Sequence, residues 1–274
     1  MNPAYTINVQ TMIARNLNKT SVAIGVFFFV MVSFSSAAIL LAQNNSYTQQ
    51  LKFNAQKYYW GRDVRQDLPK ALSLYRKAAE RGDTEAQFIA GGMYFKGIGT
   101  EKNPQEAFKW LYKAALNGES TPQSQKILGE AFLMGSGVPQ NYTESIQWYQ
   151  KAAESGDRDA QNELAFLYYV GRGVEQDFKT SFKWFEKAAR EGLAVAQYNV
   201  GIMWYTGNGV PSSDLIEAYA WLSLAAANGH QDASAASKYI ETVISPSELQ
   251  EAQKKGMQLF RQINEHQEDA GTEE

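Results

Sequence analysis

Few residues in this chain of 274 amino acids belong to the types that carry out catalysis or bind metals. The sequence has two histidines, His230 and His266, and no cysteine, which excludes thiolate nucleophiles, disulfides and cysteine metal ligands. His230 follows a glycine in a predicted turn, where we expect it to be exposed to solvent, and His266 lies near an acidic terminus. Neither belongs to a pattern that indicates acid-base or metal chemistry. We therefore predict that the protein is not an enzyme and has no catalytic residue, cofactor, metal site or small-molecule substrate.

Two further patterns that could carry chemistry have structural explanations. The G-x-G elements do not extend to the G-x-G-x-x-G or G-x-x-x-x-G-K-[ST] forms of nucleotide-binding loops, and none follows a predicted strand, so they indicate turns between helices. Asp157 and Asp159 lie at the start of a predicted helix, where the helix dipole favours acidic side chains. Neither pattern points to catalysis.

The charge balance narrows the class of partner. The formal net charge is -3, and residues 1–42 contain Arg15 and Lys19 but no acidic residue. The remaining residues carry 24 basic and 29 acidic side chains, a net charge of -5. This balance argues against a nucleic acid partner.

Two markers that recur with one period reveal internal repeats. Segments related to W-x-x-K-A-A-x-x-G end at five glycines that are 36, 38, 36 and 37 residues apart: Gly82, Gly118, Gly156, Gly192 and Gly229. Turns of the G-x-G-V type, with variations, begin at a second set of glycines: Gly61, Gly97, Gly135, Gly171 and Gly207. Apolar residues at helical spacing flank each turn, so every repeat is predicted to be a helix-turn-helix unit.

The residue four positions before each Ala-Ala pair is aromatic in all repeats but the first, which has Leu74 there. A repeat of this size cannot bury its apolar faces alone, so we expect stacked repeats to share these side chains as a core. The predicted structural core residues are Trp110, Trp148, Trp184 and Trp221.

The segment of residues 22–42 has 21 residues without a charge and, as a helix, would span about 31 Å, enough to cross a bilayer. Arg15 and Lys19 precede it, which places the N-terminus in the cytoplasm and the repeats outside. A cleaved signal peptide is the alternative, because an apolar stretch is followed by small residues of the cleavage-site type. The protein is thus expected to be anchored in the inner membrane with periplasmic repeats, or to be periplasmic after cleavage.

These observations predict an all-α chain, an α/α solenoid of about five helix-turn-helix repeats closed by C-terminal capping helices. The predicted organisation is a short cytoplasmic segment (1–21), a transmembrane helix or signal segment (22–42), a polar linker (43–48), five repeats (49–82, 83–118, 119–156, 157–192 and 193–229), capping helices (230–264) and an acidic disordered tail (265–274).

The segment AQNELAFLYYVGRGVEQDFKTSFKWFEKAAREG, which begins at Ala160, resembles the unit of the Sel-one-like repeat (SLR) family, relatives of the tetratricopeptide repeat. Ala165 replaces a glycine of the family pattern, and the resemblance covers residues 47 to about 240. It implies an α/α solenoid and a role as an adaptor, often in bacterial envelope complexes, signalling or secretion. Some cysteine-rich members resemble β-lactam-binding proteins, a branch that the absence of cysteine makes doubtful here.

The resemblance to tetratricopeptide proteins also implies a partner-binding groove lined by the first helix of each repeat. Positions carried over from that pattern form an apolar, largely aromatic set: Tyr59, Phe88, Phe95, Leu133, Phe166, Tyr169, Tyr198 and Tyr205. Aromatic residues on an exposed groove are typical anchors of protein interfaces. The alternative is that part of this set packs between adjacent repeats.

We therefore expect a non-catalytic scaffold or adaptor of the bacterial cell envelope, whose partners are other proteins, in particular envelope or membrane proteins, with membrane attachment through residues 22–42. One alternative is a structural subunit of a secretion, motor or polysaccharide-export complex. Another, suggested by the cysteine-rich relatives, is a peptidoglycan- or β-lactam-binding protein, and the sequence offers no nucleophile for hydrolysis of such a substrate.

Overall fold

The computed structural model describes residues 42–271, which form α-helices joined by short turns with no strand among them. This confirms the predicted all-α repeat solenoid. The chain divides into two compact units, with the boundary between Asp83 and Thr84. The predicted segments 1–21 and 22–42 lie outside the described range except for residue 42, so the membrane or signal interpretation stays a prediction. Within that range, no helix combines the length and the hydropathy that crossing a bilayer requires.

The first unit contains an antiparallel helix pair, α1 (42–60) and α2 (Leu68–Glu80). At one end of the pair, Arg81 Nε donates a hydrogen bond to Asn44 Oδ1 (3.1 Å). At the other end, Lys70 Nζ donates to the hydroxyl of Tyr58 (2.7 Å). These bonds join the start of each helix to the end of the other.

The predicted polar linker, residues 43–48, is instead part of α1. Thr48 is buried, and its hydroxyl donates to the carbonyl oxygen of Asn44 within the same helix (2.8 Å). A polar sequence does not prevent helix formation when a neighbouring helix covers one of its faces.

The second unit consists of four helix pairs followed by two further helices. In each pair, the two helices of one repeat pack against each other, and the second helix also packs on the first helix of the next repeat. The helices are α3 (Thr84–Lys96), α4 (Pro104–Leu116), α5 (Pro122–Met134), α6 (Tyr142–Glu154), α7 (Arg158–Val170), α8 (Phe178–Arg190), α9 (Ala194–Thr206), α10 (Leu215–Ala227), α11 (Ala233–Glu241) and α12 (Pro246–Gly271).

The second helix of every repeat begins after an Asn or Asp whose side chain accepts hydrogen bonds from backbone N–H groups of the first turn. In α4, for example, Asn103 Oδ1 accepts from the backbone N–H of Glu106 (3.0 Å). Such residues supply acceptors that the helix itself lacks. The five caps are 36, 38, 36 and 37 residues apart, a third marker of the same repeat: Asp67, Asn103, Asn141, Asp177 and Asp214.

Two classes of glycine with positive φ in the repeat meet different constraints. Gly118 ends a helix with φ of +88°, and a Cβ added to it would meet nothing within 4 Å. Gly137, the second glycine of its G-x-G turn, has φ of +83°, and an added Cβ would lie 2.6 Å from the carbonyl oxygen of Pro104 in the preceding repeat. The first class is set by backbone conformation alone, whereas the second also permits a close approach between repeats.

The first repeat departs from this pattern in an instructive way. Asp63 stands where the other turns have their second glycine, and its φ is +59°. It is the one non-glycine residue with positive φ in the described part of the chain. Asp tolerates the left-handed conformation better than most residues, because its short polar side chain can hydrogen-bond locally. The turn is therefore kept although the sequence reads GRDV.

Buried glutamines join neighbouring repeats. Gln197 is fully buried in α9, and its Nε2 donates to the carbonyl oxygen of Ala189 (3.0 Å) at the end of α8. Its Oε1 accepts from Asn228 Nδ2 (2.8 Å), which caps the end of α10. Gln161 repeats the first contact with the carbonyl oxygen of Ala153 (3.3 Å). These side chains add a further hydrogen bond to carbonyl groups in the last turn of a helix, which also accept from the backbone N–H of Gly192 and Gly156.

Three of the four predicted core tryptophans are buried: Trp110, Trp148 and Trp221. Trp184 differs, because it is only partly buried and lies against two separate core clusters, while the adjacent Phe185 is 2% exposed. The expectation that Trp184 fills the core is thus corrected: Phe185 has that role in α8, and Trp184 covers its edge.

The C-terminal end also differs from the sequence expectation. The last helix, α12, continues to Gly271, so residues 265–271 of the predicted disordered tail are helical. It packs on α10, where a Cβ added to Gly256 would lie 3.1 Å from Ser223 Oγ, and its Leu259 and Ile263 are buried in the same cluster as Phe185. Helix α12 therefore covers the apolar surface that a further repeat would otherwise bury.

Candidate protein-binding cleft

A cleft of about 240 Å³ opens between α3, α4 and α5 in the second unit. Most of its lining is apolar, and its charged groups are one lysine and one glutamate. We call it the α3–α5 cleft, and its lining residues are Phe95, Lys102, Pro104, Ala107, Phe108, Ile127, Glu130, Ala131, Met134 and Ser136.

The repeat architecture explains why this cleft remains open. Phe95 lies near the end of α3, and the G-x-G turn then leads to Pro104 at the first position of α4. Ala107 and Ala131 face the cleft from α4 and α5, and their small side chains leave space that larger residues would fill. In contrast, Gly137 lies close to the backbone of Pro104, and this contact holds the G-x-G turn of the next repeat against the start of α4.

An aromatic cluster forms the wall of the cleft. The ring of Phe108 stacks on Tyr112 (centroids 5.2 Å apart, 16° between planes) and meets Phe132 edge to face (5.2 Å, 89°). Phe132 is buried in the core cluster of α4, α5 and α6. Phe108 is thereby held in place by the core and presents a fixed apolar surface to the cleft, a property that favours binding because little side-chain freedom is lost.

Two residues at the mouth expose large apolar surface. Met134 is 67% exposed and Phe95 is 37% exposed. Methionine adapts to apolar partners of different shape, and an aromatic anchor beside it is typical of protein-binding surfaces. The arrangement can therefore accept an apolar side chain, with Lys102 and Glu130 available for polar contacts at its rim.

Beyond the cleft, acidic groups from α5 and α7 lie close together. Burial raises the pKa of the half-buried Glu163 carboxyl, and the negative charges of Glu130 and Asp159 raise it further. Lys126 opposes this effect and forms an ion pair with Asp159 (2.7 Å). Asp157 has the capping role expected at a helix start, since its carboxylate accepts from the backbone N–H of Ala160 (2.8 Å).

The structure places the predicted groove residues in different environments. Phe95 lines the cleft, and Phe166 and Tyr205 are 45% and 39% exposed. The prediction that Leu133 lies in the groove is wrong, because Leu133 is only 8% exposed and packs in the core cluster of α5, α6 and α7. The neighbouring Met134 takes the exposed position, since consecutive residues of a helix point about 100° apart.

The remaining predicted groove residues are half-buried. Tyr59 meets the ring of Trp60 edge to face (4.9 Å), and Phe88 packs against the core cluster of α4 to α6. Tyr169 packs against Phe178 (5.2 Å), and its hydroxyl accepts from Asn208 (3.3 Å). These four half-buried residues therefore contribute to packing as well as to the surface: Tyr59, Phe88, Tyr169 and Tyr198.

His230 is not the exposed turn residue that the sequence suggested. Its ring stacks on Tyr198, with centroids 4.2 Å apart and 9° between planes, and its backbone N–H donates to Ala225 (2.9 Å). The residue is half-buried, because the end of α10 directs it back onto α9. Within the described residues, no group of three or more potential ligands could hold a metal ion.

Most residues of the cleft were not predicted from the sequence. Phe108 and Ala107 lie on the second helix of their repeat, whereas the groove pattern considered first helices only. Ile127 and Met134 lie on the first helix of their repeat, and Met134 directly follows the predicted Leu133. The available signal was the run of consecutive apolar residues Phe132, Leu133 and Met134, because one face of a helix cannot bury all three.

The helix pairs, the G-x-G turns and the apolar cleft define a class: all-α repeat proteins that form solenoids and bind other proteins. The sequence profile of the Sel1 repeat matches residues 55–83, 84–119, 122–157, 158–193 and 194–230, more than half of the chain. The chain belongs to the Sel1 repeat family, which confirms the resemblance noted from its motifs. Sel1 repeats are typically a non-catalytic fold for protein interaction.

Solved structures agree with this assignment. The chain is similar to a Sel1 repeat protein from Oxalobacter formigenes, with 33% identity, a TM-score of 0.58 and coverage of 70% of this chain and 77% of the other. It is also similar to a protective antigen of uropathogenic Escherichia coli strains that displays an SLR fold, with 30% identity, a TM-score of 0.62 and coverage of 81% of this chain and 46% of the antigen.

Matches among curated proteins are shorter. A 38-residue segment is 53% identical to a putative sel1-like repeat-containing protein of Acanthamoeba polyphaga mimivirus, covering 14% of this chain and 6% of the viral protein. A 58-residue segment is 45% identical to the exopolysaccharide production negative regulator of Rhizobium meliloti (strain 1021), covering 21% of this chain and 22% of the regulator. The chain thus spans less than a quarter of the length of these relatives.

Proposed function

We propose that this protein is a scaffold of the bacterial cell envelope that binds an apolar segment of a partner protein in the α3–α5 cleft. The observation that carries the proposal is the exposure of Met134 and Phe95 beside a cleft with fixed aromatic walls. Monomeric proteins seldom expose large contiguous apolar patches without a binding role, and both of these side chains line one largely apolar cleft. The Sel1 repeat family supports the general role, because its fold typically serves protein interaction.

The dimensions of the cleft suit one or two side chains rather than a whole ligand. A volume of about 240 Å³ accommodates a large apolar side chain, and a helix or extended segment would continue over the adjacent surface. Lys102 and Glu130 offer both signs of charge at the rim, so polar groups flanking the apolar anchor would fix its orientation.

The experiment uses a pair of matched variants in the full-length protein. A photo-crosslinking amino acid replaces Glu130 at the rim, and Met134→Arg is compared with Leu116→Arg, which changes an equally exposed residue (67% against 66%) outside the cleft. A discrete partner should crosslink at position 130, disappear with Met134→Arg and persist with Leu116→Arg. Crosslinking that survives Met134→Arg would show that the cleft is not the binding site.

We also propose that the repeats lie in the periplasm, on the basis of the charge-free segment 22–42 and the basic residues before it. Because the chain has no cysteine, Ser155→Cys creates a single label site on an exposed position of the repeats. A membrane-impermeant maleimide should label it in intact spheroplasts. Labelling only after lysis would place the repeats in the cytoplasm and contradict the proposal.

The structural-subunit alternative has one observation in its favour. The match to the exopolysaccharide production negative regulator of Rhizobium meliloti connects part of the repeat sequence with a regulator of polysaccharide production. Purification of the crosslinked species distinguishes the two proposals. A fixed stoichiometry within a large membrane complex would support the subunit, and a variable, reversible association would support the adaptor.

A further inference from the structure

The two units of the chain carry opposite net charge. Residues 42–83 contain eight basic and four acidic side chains, a net charge of +4, whereas residues 84–274 contain 16 basic and 25 acidic side chains, a net charge of -9. The positive charge is therefore confined to the first helix pair and is not a general property of the surface.

Within this unit, α1 presents an apolar and aromatic stripe to solvent. Leu51 and Ala55 are buried on one side of the helix, and Phe53 and Trp60 are 58% and 63% exposed on the opposite side. Lys57 lies on the same exposed side, with its Nζ 5.1 Å from the centroid of the Phe53 ring. An exposed stripe that contains two large aromatic side chains and a cation beside them indicates a binding face.

The turn after α1 adds positive charge next to this stripe. Arg62 and Arg65 are exposed, and neither forms an ion pair with a carboxylate among the described residues. Lys57 has only a loose pair with the exposed Asp63 (3.5 Å). Beside Arg65, a shallow depression of about 580 Å³ extends along the turn to Pro69.

We propose that the outer side of α1, with Phe53, Lys57 and Trp60, together with Arg62 and Arg65, binds the surface of a bilayer that contains anionic phospholipids. Aromatic rings, tryptophan above all, favour the boundary between headgroups and acyl chains, and neighbouring Lys and Arg side chains attract anionic headgroups. A helix with an apolar stripe and basic flanks lies in this interface rather than across it.

The positive charge and the position of α1 in the chain together favour this occupant over a protein. An acidic protein partner would also pair with the arginines and cover the two rings, so the position in the chain decides between them. The predicted membrane segment ends at residue 42, the first residue of α1, and Phe53 and Trp60 follow it by 11 and 18 residues. If that segment crosses the bilayer, α1 begins at the lipid surface.

The absence of cysteine makes a direct test possible in the full-length protein. Gln56 is exposed between Phe53 and Trp60 on α1, and Gln123 is an exposed glutamine in the second unit. Gln56→Cys and Gln123→Cys each receive an environment-sensitive fluorophore. Each protein is reconstituted with phosphatidylcholine vesicles, with or without phosphatidylglycerol, that contain a lipid quencher at a shallow acyl position.

The proposal predicts a blue shift and quenching at position 56 in vesicles with phosphatidylglycerol, and neither change at position 123. Arg62→Glu with Arg65→Glu should lower the fraction of quenched label about tenfold, as should Phe53→Ser with Trp60→Ser. All four residues are exposed, so circular dichroism should show unchanged helix content.

Three results would overturn the proposal. A label at position 56 that stays in water with both kinds of vesicle excludes lipid contact. Equal quenching at positions 56 and 123 shows non-specific adsorption. A blue shift without quenching in the vesicles, or a blue shift that appears at high protein concentration without lipid, assigns the face to a second copy of the chain.

Discussion

Replacement of Gly137 by alanine tests whether close packing between repeats, rather than turn conformation alone, requires the second glycine of the G-x-G turn. Gly118→Ala is the matched control, because the two residues have φ of +83° and +88°. In both variants, the left-handed conformation costs about 1–2 kcal/mol for a residue with a Cβ. Any difference between the variants must therefore come from their surroundings.

Those surroundings differ sharply. The new methyl group at position 118 meets nothing within 4 Å, whereas at position 137 it lies 2.6 Å from the carbonyl oxygen of Pro104 and 2.9 Å from the Cα of Gln105. Carbon atoms in contact are normally about 3.5–4.0 Å apart, so the backbone of one repeat must move by about 1 Å. Overpacking of this kind costs about 1–3 kcal/mol, so Gly137→Ala should lose about 2–5 kcal/mol in all.

Urea denaturation of the full-length protein in mild detergent, followed by circular dichroism, measures both variants. Because Pro104 and Ser136 line the α3–α5 cleft, Gly137→Ala should also weaken partner crosslinking at position 130, which Gly118→Ala should leave intact. An equal loss of unfolding free energy in the two variants would refute the reasoning, since it would show that the repeats separate without cost or that the turn conformation is the sole constraint.

Three further predictions concern the core and its titration. Trp110→Ala should lower the unfolding free energy by about 3–5 kcal/mol, and Trp184→Ala by clearly less, because Trp110 is 2% exposed and Trp184 only partly buried; equal losses in urea denaturation would contradict this. Gln197→Leu should cost about 0.5–1.5 kcal/mol in the same assay, since it removes the hydrogen bonds to Ala189 and Asn228, while the Ala189 carbonyl keeps its bond from the backbone N–H of Gly192; an unchanged midpoint would show that water replaces these bonds. Glu163→Gln should raise the melting temperature at neutral pH but not below about pH 4. The raised pKa of Glu163 stabilises the folded state below the ordinary glutamate pKa, and this contribution is lost as the pH rises through the raised value, where the buried carboxylate becomes charged. A pH-independent effect on the melting temperature would contradict this prediction.

The all-α class, the number of repeats and the turns were predictable because they depend on local properties. A glycine in a left-handed turn or an Ala-Ala pair in a packed helix restricts each repeat in the same way, so the restriction appears in the sequence at a fixed period. The caps of the second helices followed the same period and were equally accessible from sequence. The polar composition of residues 43–48 and of the C-terminal segment misled, because it reports exposure and not the absence of helix.

The candidate site was less predictable. The groove pattern identified Phe95 but placed Leu133 on the surface and omitted Met134 beside it. The two residues belong to the same helix and are both apolar, so composition does not distinguish them. Which one is buried depends on the rotation of α5 against α6 and α7, and a rotation by one residue, about 100°, exchanges core and surface.

The sequence by itself therefore determined the repeat, the helix pairs, the turns and the family, since each rests on conformational preferences of a few consecutive residues. Only the tertiary structure decided that Phe185 rather than Trp184 fills the core, that Gln197 joins adjacent repeats and that the open cleft lies between α3, α4 and α5. The physical reason is that burial is a property of side chains from different repeats that meet in space. Those contacts depend on how closely glycines such as Gly137 let neighbouring helices approach.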